Sequence, residues 1–145
     1  MYSSVVLALD GSEGSDRAVP VAEGYARRDG ARIVVAHVRT HALETATEDA
    51  LHAHVEQLSR SGIETSMIIR DTLFGDEAQT IADVAQDAEA SLIVIASRGR
   101  GPFTDAVLGS TTQRLLPLAG CPVLVVPGGY TGDELIFAES SAAQA

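Results

Sequence analysis

The chain has 145 residues, 46% of them hydrophobic, and a formal net charge of −10. That length suits one domain with its own core, and the acidic balance excludes a nucleic-acid surface, which has to be basic. All ten basic residues are Arg, so a Walker A phosphate loop and Schiff-base catalysis, both of which need Lys, are excluded as well.

From the amino end, Val5-Val6-Leu7-Ala8-Leu9 is apolar at every position and reads as strand 1. Ser12 or Ser15 is placed to cap a helix running to about Arg28. Pro20 inside that helix removes a hydrogen bond, which predicts a kink or a late start. Ile33-Val34-Val35-Ala36 reads as strand 2, and Glu44 to Arg60 as a helix with Leu51, Val55 and Leu58 on one stripe and Gly62 just past its end. Ile63 to Arg70 mixes polar and apolar residues, the pattern of an edge strand. Asp76 to Ala88 carries Ile81, Val84, Ala85 and Ala88 at helical spacing. Leu92-Ile93-Val94-Ile95-Ala96 is strand 4, Ser110 to Leu118 a fourth helix stopped by Gly120 and Pro122, and Val123-Leu124-Val125-Val126 strand 5.

Runs that are apolar at every position mark strands buried on both faces. Alternation of strands with helices implies a parallel sheet with right-handed crossovers. The predicted fold is therefore α/β, a doubly wound, Rossmann-like five-stranded parallel sheet of order 3-2-1-4-5 with helices on both faces. Residues 1–127 form the domain. Residues 128–145, rich in Gly, Ser, Ala and acidic residues, form a flexible or partner-docking tail with Leu135-Ile136-Phe137 as its apolar island. The single cysteine, Cys121, cannot form an internal disulfide and suits a reducing cytosol. Met1 leads straight into an apolar stretch without the basic region of a secretory signal, and no apolar run approaches the roughly 20 residues of a membrane span. The expectation is a cytoplasmic protein that binds neither membrane nor nucleic acid.

In doubly wound sheets, ligands bind beyond the carboxyl ends of the strands where the winding reverses, here between strands 1 and 4. Strand 4 is followed by Ser97-Arg98-Gly99-Arg100-Gly101-Pro102 and then Leu108-Gly109-Ser110-Thr111-Thr112. Glycines allow close backbone approach, and the N–H groups that open the fourth helix make an anion site. Arg98 and Arg100 are placed to neutralise phosphate charge. Ser110 reads equally as an ordinary helix cap. Asp10, after strand 1, is suited to ribose hydroxyls or an adenine amino group, or to a turn. His52 and His54 diverge on their helix, and His37 and His41 lack a third ligand, so no metal site is expected.

Together these segments resemble the universal stress protein family, from strand 1 to Val126. That family's motif is Gly, two residues, Gly, nine residues, then Gly-Ser or Gly-Thr. Here it reads Ala96-Ser97-Arg98-Gly99, nine residues, then Gly109-Ser110, with Ala96 in place of the first glycine. The resemblance implies a nucleotide site formed by Ala8, Asp10, Val38, Ile95, Ala96, Gly99, Gly109, Ser110 and Thr111, with no catalytic residue. It implies ATP as ligand (AMP or ADP alternatively), Mg²⁺ held only through phosphates, and a homodimer paired through residues 122–126. The implied role is a dimeric stress-response sensor. The alternatives are a non-nucleotide interaction protein in which Ala96 has closed the site, and a slow ATPase.

Overall fold

The computed structural model describes residues 3–39, 45–72, 76–97 and 109–128. The elements in chain order are β1 (Ser4–Ala8), α1 (Glu13–Asp16), α2 (Ala18–Asp29), β2 (Arg32–Arg39), α3 (Thr45–Arg60), β3 (Thr65–Asp71), α4 (Glu77–Asp87), β4 (Leu92–Ala96), α5 (Ser110–Leu118) and β5 (Val123–Val126). The five strands form one sheet of order β3-β2-β1-β4-β5, and every neighbouring pair is parallel.

The unbroken apolar runs sit where the sheet is covered on both faces. Every residue of β1 and of β4 is buried. In register, Val5–Ala8 lie against Ile33–Ala36 on one side and against Leu92–Ile95 on the other. Alternate residues then feed two separate cores. Val5, Leu7, Ile33, Val35 and Val94 pack with Val21, Ala22, Leu51 and Leu58 of α2 and α3. Val6, Ala8, Val34, Ile93 and Ile95 pack with Ile81, Val84, Ala85 and Leu115 of α4 and α5. The predicted edge strand, β3, is half-buried along most of its length. The opposite edge, β5, is apolar throughout, yet Val123, Leu124 and Val125 are only half-buried.

The interruption expected near Pro20 is present, and the cap of α5 differs from the sequence expectation. The helix after strand 1 is divided: Ser12 caps α1 by accepting from Ser15 N, and a new helix, α2, begins after Arg17. Pro20 thereby falls in the first turn of α2, where a missing N–H breaks no intrahelical bond. Gly109, not Ser110, is the N-cap of α5, and no side-chain cap bond forms there. Glu44, the expected start of the third helix, lies outside the described residues, as do His41 and residues 129–145. No helix among the described residues is long and apolar enough to cross a membrane.

Candidate functional site

The strand order puts the winding reversal between β1 and β4. β1, β3 and β4 each lead from their carboxyl ends into a helix, so the amino ends of α1, α4 and α5 rim the same edge of the sheet. A crevice of about 250 Å³ opens there, near the lower end of the range for small-ligand clefts.

The loop after β1 forms one wall through Asp10, Ser12, Gly14 and Ser15. Asp10 Oδ1 accepts from Ser12 N at 2.8 Å and from Ser12 Oγ at 2.6 Å, while Asp10 N donates to Ser15 Oγ at 3.2 Å. The turn is tight because Gly11 has φ +87°, and a Cβ at Gly11 would run into the Thr47 side chain of α3. α3 grips this loop a second time, through His54 Nε2, 3.2 Å from Asp16 Oδ1. Asp10 is thus both a turn residue and a crevice residue; the two readings of it coexist.

The floor comes from Ala36, His37 and Val38 of β2 and from Ile95, Ala96 and Ser97. His37 is 2% exposed, and its Nδ1 lies 2.9 Å from the Leu9 carbonyl. A carbonyl only accepts, so Nδ1 carries the proton and donates. This bond joins the residue before Asp10 to the residue before Val38. Ser97 N donates to Val126 O at 2.9 Å and ties the end of β4 to β5. Beside the floor, Arg39 bonds Asp71 of β3 and Glu48 of α3. Its hydrogen bond holds the Asp71 carboxyl below the ordinary carboxylate range.

The far wall is built by Gly109, Thr111 and Thr112 at the amino end of α5 and by Glu77 and Ile81 of α4. Gly109 has φ −61° and ψ 155°, so the chain enters α5 without any left-handed backbone. Unsatisfied N–H groups in the first turn, with the positive end of the helix dipole, suit an anion.

Of the residues singled out from sequence, Ala8, Asp10, Val38, Ile95, Ala96, Gly109 and Thr111 line this one crevice. Ser110 is exposed at the start of α5 and is not part of the lining. Arg98, Gly99 and Arg100 lie outside the described residues. The Ala96 side chain belongs to the core layer of Leu9, Val94 and Val126 under α2 and α3, and the crevice stays open beside it. Glu77, Ile81 and His37 were not singled out as site residues. α4 reaches the crevice through the sheet order, and the bond from His37 to the Leu9 carbonyl joins residues 28 apart, which no local pattern signals. Among the described residues, no group of three or more His, Cys, Asp or Glu is arranged to hold a metal ion.

Comparison with known proteins points one way. The family model described as "Universal stress protein family" matches residues 1–127. A universal stress protein of Thermus aquaticus is 35% identical over 136 residues, covering 87% of this chain and 99% of that one. A universal stress protein from Archaeoglobus fulgidus, solved in complex with dAMP, superposes with a TM-score of 0.67 at 20% identity, covering 86% of this chain and 98% of its own. Another, solved in complex with cAMP, superposes at 0.63 and 22% identity, covering 88% and 98%.

Proposed function

The chain belongs to the universal stress protein family, and from that premise we propose that it binds an adenine nucleotide, ATP foremost, in the crevice between β1 and β4. The observation that carries this reading is the convergence of Asp10, Val38, Ile95, Ala96, Gly109 and Thr111 on one cleft at the amino end of α5. In this reading Val38 and Ile95 take the base, Asp10 takes the ribose hydroxyls, and Gly109, Ser110 and Thr111 cradle phosphates. Gly99, Arg98 and Arg100 complete the phosphate side. Mg²⁺ would enter on the phosphates; among the described residues, the acidic groups of the lining are Asp10 and Glu77. The two relatives solved with dAMP and cAMP support an adenine ligand, and AMP and ADP would share the base and ribose contacts.

The open cleft beside Ala96 favours this reading over the one in which the methyl group closes the site. Occupancy would then act as the signal in a cytoplasmic stress response. A second copy would pair along the edge strand β5, whose Val123, Leu124 and Val125 are half-buried and whose neighbouring Leu116 and Leu118 on α5 are exposed.

The test is calorimetric titration of nucleotide-free protein with ATP and Mg²⁺, with Gly109→Val as control. Val tolerates the extended backbone at position 109, so the variant should fold and lose binding through bulk alone. Saturable micromolar binding that vanishes in Gly109→Val supports the reading. No binding, with no nucleotide carried through purification, sends the search to protein partners.

A further inference from the structure

Glu77 is the acidic residue of the lining that the family motif does not include. It lies in the first turn of α4, is half-buried, and shares a helix face with Ile81 one turn on. Ile81 packs in the same core layer as Ala36, and Val38 lies against that layer. α4 packs on α5, β2 and β1, and with Ile81 in that layer Glu77 joins the crevice lining near the carboxyl end of β2. No hydrogen bond or ion pair within the protein engages its side chain among the described residues.

A carboxylate repels phosphate, so it does not serve the phosphate end. At the base end it can only accept, and what it selects is a donor. We propose that Glu77 sets the base preference of the crevice, accepting a hydrogen bond from the exocyclic 6-amino group of an adenine held at Val38. The inference rests on the nucleotide reading given above. A 6-keto purine would turn an acceptor toward the carboxylate, leaving two buried acceptors face to face. Hydrogen bonds to charged groups and their loss translate into discrimination of about 10- to 100-fold.

The experiment measures dissociation constants of ATP, 2′-deoxy-ATP, ITP and GTP for the wild type, Glu77→Ala and the isosteric Glu77→Gln, with thermal unfolding as a check on folding. Wild type should bind ATP at least about tenfold more tightly than ITP. Glu77→Ala should bring that ratio to near unity. Glu77→Gln, whose amide rotates to donate, should improve ITP, and the ratio of ATP to 2′-deoxy-ATP should stay put in both variants. Three results overturn the proposal with the nucleotide reading intact: an unchanged ATP-to-ITP ratio, a changed ribose ratio instead, or tighter binding of GTP than ATP by the wild type. Failure of the wild type to bind any of the four overturns both.

Discussion

Gly11→Ala is the substitution whose cost the structure defines most sharply. Gly11 sits at φ +87° between Asp10 and Ser12, where a residue with a Cβ costs about 1–2 kcal/mol in backbone strain alone. Its new methyl group would also run into Thr47 Cγ2 on α3. Forcing an extra carbon into a packed contact adds about 1–3 kcal/mol. The sum, about 2–5 kcal/mol, should lower the unfolding midpoint by about 6–15 °C in a domain of this size. The two components separate in a second variant. Replacing Thr47 by Ser in the Gly11→Ala background removes the obstructing methyl group, and should return the packing part while leaving the backbone strain. Thermal unfolding of wild type, both single variants and the double variant is the assay. If Gly11→Ala stays within about 0.5 kcal/mol of wild type, or Thr47→Ser rescues nothing, then α3 does not clamp the Asp10 loop as described.

Further outcomes follow from the caps, the ion pair and the core. Ser12→Ala should destabilise by about 0.5–2 kcal/mol, because Ser12 caps α1, whereas Ser110→Ala should stay within about 0.5 kcal/mol, since Gly109 caps α5 without a side-chain bond; equal costs in chemical denaturation would contradict that difference. Asp71 owes its lowered pKa first to the hydrogen bond from Arg39, so its stabilising share is present above the ordinary carboxylate range and fades as pH falls through the lowered value. In Arg39→Gln, a carbon-detected NMR titration should find Asp71 back in the ordinary range, and an unmoved titration would refute the pairing. Leu115 of α5 is fully buried beneath the far wall, so Leu115→Ala should cost about 2–5 kcal/mol in denaturant unfolding, and a near-neutral result would mean that α5 is not seated there.

Much of the fold was legible because its strands announce their surroundings. Val5 to Leu9 and Leu92 to Ala96 are apolar at every position, which only a strand covered on both faces requires. The mixed β3 announced an edge in the same way. β5 carries the apolar run of a buried strand, and its place at the other edge followed from the expected order 3-2-1-4-5, which the sheet shows. Pro20 signalled the interruption between α1 and α2, but local signals did not decide between Ser12 and Ser15 as the first cap, and Gly109 took the cap that Ser110 resembled. The site divided along similar lines. Asp10 and Gly109 adjoin strand ends and so could be placed from chain order. Glu77 and Ile81 reach the crevice across a crossover, and the grip of Thr47 on Gly11 joins residues far apart in sequence. Contacts of that kind depend on how the layers settle, which periodicity does not encode.

The central claim is that an adenine nucleotide occupies the β1/β4 crevice, and an amide NMR titration of ¹⁵N-labelled protein with Mg²⁺-ATP tests it most directly. The account predicts saturable shifts concentrated at Gly11 to Ser15, at Val38 and Ser97, and at Gly109 to Thr112. A second hollow, lined by Arg27, Gly30, Arg32 and Gly62, lies at the amino end of the sheet and should stay silent. Shifts confined to that hollow, or none at all at millimolar ATP, would contradict the account.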